Sequence, residues 1–402
     1  MPTPCTCDTF TGVVTSATGS TLTGTVYDRG GAALNVQNVD FGGDVQAAIT
    51  AATAGDIIVL PRANYDPFDI DKKVALQGNA IGSGPAVADV DGSIISGTND
   101  TIVRATVPFK LDSVCIKESE TSGDADSIAL NIDNGSGGVA RWVLRDVYLT
   151  GTIERLGVGL HCYFALKGVV NGGNIEGWDN GVVLEHTSNA NLFIGTKIRW
   201  NNTGVCAPVS ASPVVENAST DDLFLLGCSI EGNKVGVKAM SGAITLQSCH
   251  LENTYIDDPH ANPLVEIQGK NVVMGGTAAL KSTGCDFGGA ATDIEILSGN
   301  AQNHSSVGDT FRGTITHNGT GVLRIVNPTL GLPVITGTGP VILEYENVIH
   351  GVHCSGRDLK VEGFATVYST EPGQGFTAHS PDNTRYRLAP PNGGGTASWV
   401  TV

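Results

Sequence analysis

Several things are scarce in this chain of 402 residues. Aromatic residues make up 6% of it, methionines number 3, and charged residues reach only 16%. Basic charge is the scarcest kind: 23 Lys and Arg stand against 40 Asp and Glu, a formal net charge of −17. A protein that grips phosphates needs a basic face, so this balance argues against a nucleic-acid partner. It offers no general attraction for acidic polysaccharides either, and it suits a soluble chain kept apart from its copies. No apolar run is long enough to cross a bilayer as a helix, and no basic-then-apolar leader opens the chain. Membrane insertion is therefore not expected, and export is expected by another route or as part of a particle. The 9 cysteines are an odd number in a large chain, which disfavours a disulfide framework. There is no Gly-rich phosphate loop and no catalytic-triad signature, and Cys5-Thr6-Cys7 stands too isolated for a zinc site. No metal or cofactor is expected.

Glycine, by contrast, is abundant at 53 residues, and with Asn and Thr it suits a chain that turns every few residues. The decisive feature is an internal repeat. Leu192-Phe193-Ile194-Gly195-Thr196-Lys197-Ile198-Arg199-Trp200-Asn201-Asn202-Thr203-Gly204-Val205 aligns with Phe224-Leu225-Leu226-Gly227-Cys228-Ser229-Ile230-Glu231-Gly232-Asn233-Lys234-Val235-Gly236-Val237, and Thr245–Asn253 repeats the first half. A large apolar marker recurs at Ile116, Leu149, Ile175, Ile198, Ile230, Leu251, Phe287 and Phe311. Its spacing runs from 21 residues (Ile230 to Leu251) to 36 (Leu251 to Phe287). Short alternating runs between Gly and Asn turns fit strands, and a unit this small buries its apolar face only against its neighbours. The fold predicted is all-β: a right-handed parallel β-helix over 34–329, with an arm or attachment element over 1–33 and a small β module over 330–402. Long spacings mark coils with inserts, at Cys206–Asp222 and Tyr255–Pro263. Cys228, Cys249 and Cys285, each two residues before a marker, are expected as an inward column of buried free thiols, with no acid or His sharing that position.

At the start of the solenoid, Asp44 caps a helix of Val45, Ala48, Ile49 and Ala52 that Gly55 ends. A helix there covers the open strand edges of the first coil. The run Asn38-Val39-Asp40-Phe41-Gly42-Gly43-Asp44, then Ala48-Ile49, a strand ending at Pro61, Tyr65, and Val74-Ala75-Leu76-Gln77-Gly78 resembles the opening of the pectate-lyase-like parallel β-helix superfamily. It is most similar to the bacteriophage tailspike and polysaccharide depolymerase branch. That resemblance implies a solenoid that binds a bacterial surface polysaccharide, three chains joined through a terminal module, a place in a virion tail or outside the cell, and contact with other tail proteins. The ending, Ser380–Leu388 and then Trp399-Val400, is similar to small terminal β modules of phage tail proteins; a simple C-terminal cap explains it as well.

Two outward columns carry the candidate chemistry. Just before the markers stand Lys197, Ser229, His250 and Asp286; just after them stand Glu176, Arg199, Glu231 and Glu252. Coils stack at about 4.8 Å, so the second set forms one stripe. Paired carboxylates suit glycoside hydrolysis: neighbouring coils approach the ~5 Å of retaining enzymes, and two coils the ~9 Å of inverting ones. The candidate catalytic residues are Glu231, Glu252, Asp286 and Glu176. Trp178 and Trp200 are candidate sugar platforms, with Arg199, His250 and Lys197 as further binding residues. The same stripe also fits a solvated, partly paired face, which makes the chain a structural spike or a carbohydrate-binding adhesin. A third reading comes from Asp258-Pro259-His260, which resembles the Asp-Pro-His-Glu motif of mannuronan epimerases with Ala261 in place of Glu, and implies a uronate lyase or epimerase.

Overall fold

The structure is a computed structural model. It describes residues 43–344 apart from 83–89, 99, 120–124, 136, 187, 209–221, 257–264 and 331–332, with strands outside that span described by their backbone alone.

Three long parallel sheets run the length of the molecule. The marker sheet ascends from Ala63–Tyr65 to Thr310–Phe311, a second sheet from Phe68–Ile70 to Val334–Gly337, and a third from Val36–Asn38 to Val341–Glu344. The chain visits them in rotation, once per coil, which makes a right-handed parallel β-helix. The repeat predicted the register of the marker sheet. Ile116 pairs with Leu149, then Ile175, Ile198, Ile230, Leu251, Phe287 and Phe311, one above the next. All eight are buried, and the last two stack ring on ring at 5.1 Å.

Local chemistry explains the repeated sentence. Three residues before each marker, at Ser113, Asp146, Gly172, Gly195, Gly227, Ser248, Gly284 and Gly308, the backbone is left-handed, with φ between 49° and 70°. One such residue swings the chain from the third sheet into the marker sheet, and Gly, Ser and Asp tolerate that conformation. After the markers Ile198, Ile230 and Leu251 comes a buried amide. Asn201 Nδ2 donates to Asn233 Oδ1 (3.1 Å), Asn233 Nδ2 to Asn253 Oδ1 (3.0 Å), and Asn253 Nδ2 to Asn271 Oδ1 (2.8 Å). Asn271 then donates to Asp293 Oδ1 at 2.9 Å. The glycine of the Gly-Val ending makes room for this ladder: a Cβ on Gly236 would lie 2.5 Å from Asn253 Nδ2, and one on Gly181 2.9 Å from Asn201 Nδ2.

The helix Val45–Ala51 forms as expected, with Asp44 Oδ1 accepting from Ala47 N at 2.8 Å and Val45, Ala48 and Ile49 buried. It stops at Ala51 rather than at Gly55, because the Ala52 backbone is already extended; Lys72 Nζ reaches the freed carbonyls of Thr50 and Ala52. The solenoid also continues beyond the break expected after 329. Val334–Gly337 and Val341–Glu344 pair in register with the coil beneath, so the parallel ladder runs to Glu344. Outside it, Thr11–Thr15, Thr21–Tyr27 and Ala33–Leu34 form one antiparallel sheet, and Thr377–His379, Arg385–Ala389 and Ser398–Thr401 another. The strands expected at Leu359–Val361 and Ala365–Tyr368 lie outside the described residues.

Cys228, Cys249 and Cys285 are buried free thiols in one column. The neighbouring Cys249 sulfur, followed by burial, pushes the Cys228 and Cys285 thiols up. The expectation that no acid shares their position is corrected. Asp309, two residues before Phe311, is fully buried there, accepting from Ser282 and Ser306 hydroxyls and the Cys285 amide. Those donors replace the water a buried carboxylate loses.

Near the far end, His304 and His317 are buried with ring centroids 6.4 Å apart. Burial, and then the charge of His317, push His304 down to about 4; burial also pushes His317 down. The folded state holds them neutral, whereas the unfolded chain protonates them near 6.5. Their penalty is absent above that value and grows as pH falls toward 4. Asp293, pushed up to about 6 by burial, works the other way and costs stability as pH rises past its ordinary range. A His304→Gln variant separates the two. Its disadvantage against the parent should shrink by about 2 kcal/mol between pH 7 and pH 4.5, read from chemical melts. A gap that stays constant with pH rules the effect out.

Candidate functional site

The stripe exists in the expected register. Glu176 pairs with Arg199, Arg199 with Glu231, and Glu231 with Glu252; alongside, Lys197 pairs with Ser229, Ser229 with His250, and His250 with Asp286. Its exposure is uneven. Glu176 is buried at 3% exposure rather than open, and takes hydrogen bonds from Arg199 Nε (2.9 Å) and Asn174 Nδ2 (2.6 Å). A carboxylate tied to two donors and shut from solvent holds the guanidinium in place, and this one does not face an open groove. From Arg199 onward the face opens. Glu231 is half-buried and Glu252 exposed.

A cavity of about 270 Å³ lies on this open part. Its floor is Glu231, Gly232 and Glu252 from adjacent coils, with Trp200 one coil below. Its wall comes from two inserts. Thr254–Ile256 and Glu266–Gln268 pair antiparallel and contribute Thr254, Tyr255, Ile256 and Glu266. Arg155, from the loop after Thr150, lines the cavity beside them and ties the inserts together by donating from Nη1 to the Ile256 carbonyl at 2.9 Å. Gly232 leaves room for the Trp200 indole, since a Cβ there would sit 2.6 Å from Trp200 Cδ1. The Arg199 guanidinium covers one face of Trp200, 4.4 Å from the ring centroid, and Lys234 Nζ stands 5.5 Å from that of Tyr255.

The two floor carboxylates have different partners. The Ser229 hydroxyl donates to Glu231 Oε1. Glu252 Oε2 lies 3.2 Å from His250 Nε2, and His250 Nδ1 lies 3.4 Å from Asp286 Oδ2. Arg312 closes the chain, 3.1 Å from Asp286 Oδ1. Thus Asp286 and His250 lie one residue column to the side, behind Glu252 and outside the cavity, and exposed Lys197 stands in that same column.

Trp178 is corrected: it is not a sugar platform. It is fully buried, its Nε1 donating to the Leu149 carbonyl at 3.1 Å, and Gly151 and Gly159 leave the space its ring fills. Its amide donates to Asn201 Oδ1, so Trp178 stands level with Asn201 and not with Trp200. Arg155 and Glu266 escaped the sequence reading because neither sits on the repeat. The available signal was spacing: the longest interval, Leu251 to Phe287, holds the hairpin, and the apex of that hairpin, with Asp258-Pro259-His260, lies outside the described residues.

Compared by sequence, the chain matches no family profile and no curated protein. Compared by structure, it is similar to several solved solenoids. The DFA-IIIase from Arthrobacter chlorophenolicus A6 without its lid, in complex with GF2, is 11% identical over 84% of this chain and 99% of its own, with a TM-score of 0.49. The Azotobacter vinelandii mannuronan C-5 epimerase AlgE4 A-module is 15% identical over 83% and 100%, at 0.45. The tailspike protein gp49 from Acinetobacter baumannii bacteriophage Fri1, a capsular polysaccharide depolymerase, is 11% identical over 88% and 66%, at 0.39. At these identities the likeness concerns the fold alone.

Proposed function

We propose that this chain binds a bacterial surface polysaccharide across the marker sheet and cleaves it by glycoside hydrolysis in the cavity. The observation that carries the reading is one cavity holding two carboxylates from adjacent coils beside Trp200 and Tyr255. Paired acids beside aromatic rings are what a glycosidase requires. Adjacent strands stand about 4.8 Å apart, near the ~5 Å of retaining enzymes. Glu231, held by the Ser229 hydroxyl, suits the nucleophile: its oxygen attacks the anomeric carbon as the glycosidic bond breaks. Glu252, joined to His250, suits the acid: its proton passes to the leaving oxygen. Glu252 then takes a proton from water, which attacks the anomeric carbon and releases Glu231.

Screening capsular, alginate and pectic polymers for new reducing ends and for unsaturated uronates tests this reading. New reducing ends without unsaturated products support it. Unsaturated products indicate a lyase, and binding without cleavage reduces the face to an adhesin. Trp200→Ala should weaken binding of a cleaved polymer by about tenfold, the scale of one lost aromatic contact; unchanged affinity moves the binding face elsewhere.

The setting that goes with this reading is a tailspike-like particle, in a virion tail or outside the cell, beside other tail proteins. We infer a homotrimer with closed three-fold symmetry. Light scattering at micromolar concentration should give three times the chain mass, and a monomer defeats the inference.

A further inference from the structure

The charges around the cavity bear on which sugar it takes. Three of its lining side chains are carboxylates, Glu231, Glu252 and Glu266; one, Arg155, is a cation, and its Nη1 donates to the Ile256 carbonyl. Two further cations stand over the rings of Trp200 and Tyr255 and are not among the lining residues. Arg199 pairs with buried Glu176 and stacks on Trp200, and Lys234 stands over Tyr255. A uronate seated here would bring its charge beside the carboxylates of Glu231 and Glu266 and the acid Glu252. Removing the C5 proton of a uronate, as lyases and epimerases do, is favoured by cations or hydrogen-bond donors at its carboxylate, and a lining of three Glu and one Arg works against it. Among the lining residues, Ile256 adds an apolar side chain beside the rings of Trp200 and Tyr255.

We propose, resting on the hydrolytic reading above, that the sugar unit seated in this cavity is uncharged and carries apolar groups, as N-acetylated and 6-deoxy sugars do. The carboxylates repel a uronate at the point of cleavage, while Trp200, Tyr255 and Ile256 take up the faces and methyl groups of a neutral unit. Each like charge brought within a few ångströms of a partly exposed carboxylate lowers affinity by about tenfold.

The experiment uses the whole chain on an array of bacterial surface glycans, half neutral and half uronate-containing, read beside a Tyr255→Ala variant and a Glu266→Lys variant. Neutral binders that lose signal with Tyr255→Ala support the proposal. So does a rise of about tenfold in uronate-glycan signals with Glu266→Lys. Uronate glycans bound by the parent chain and lost with Tyr255→Ala overturn the proposal while leaving the cavity as the binding site. No binder at all, or binders indifferent to Tyr255→Ala, overturn it together with the reading it rests on.

Discussion

Glu252→Gln is expected to lower turnover on a cleaved polymer by about 10²-fold or more while binding stays largely intact, and Glu231→Gln should do the same. Glutamine keeps the size and much of the hydrogen bonding of Glu but neither holds a transferable proton nor attacks an anomeric carbon. The two substitutions should differ in detail. With Glu231→Gln no glycosyl-enzyme forms. With Glu252→Gln the first step slows most for poor leaving groups, so an activated aryl glycoside of the same sugar should recover part of the rate. Asp286→Asn, one residue column aside, acts through His250 and should change the pH profile more than the maximal rate. If Glu231 and Glu252 are each replaced without loss of cleavage, the stripe is a solvated face and the chemistry lies elsewhere.

The second large effect is structural. Asn233→Ala should destabilise the protein by about 4 kcal/mol in guanidinium melts. Asn233 is fully buried, its Oδ1 accepting from the Asn201 backbone and side chain, its Nδ2 donating to Ile198 O (3.0 Å) and Asn253 Oδ1. Truncation leaves those groups without partners inside the solenoid, at about 1–3 kcal/mol each, and they do not add fully. Neighbouring Asn202, whose amide bonds the exposed side of Asp179, is the control and should cost well under 1 kcal/mol. Equal losses at both positions mean that the ladder contributes nothing special. Because Asn233 follows Ile230-Glu231-Gly232, the variant also tests whether the ladder keeps the cavity floor rigid.

Much of the fold was legible because a solenoid writes its architecture into local sequence. The marker residues and the left-handed turn residue three places before them answer a constraint repeated on every coil, and the glycine before the second-sheet residue recurs at Gly159, Gly181, Gly204 and Gly236, so each leaves a period. The Asn ladder answers one too, but Leu251 reaches its ladder residue, Asn253, in two steps where Ile198 and Ile230 take three, and Asn271 follows an insert. The period breaks, and the column disappears from a linear reading. Asp309 leaves no period for a related reason: a buried carboxylate is tolerable there because Ser282, on one strand, and Ser306, on the next, converge on it.

What the sequence by itself determined is the coil, its register and the face on which charge gathers. A side-chain period survives translation into three dimensions when one backbone plan is repeated, and so the order Glu176, Arg199, Glu231, Glu252 was readable in advance. What only the tertiary structure decided is which of these open onto the cavity. Glu176 and Trp178 sit at outward-reading positions yet are buried, one under an arginine and one in a space that two distant glycines leave open. Arg155, Tyr255 and Glu266 wall the cavity from inserts that follow no repeat. Burial and convergence depend on what other segments lay over a position, and that is a property of the folded chain rather than of its period.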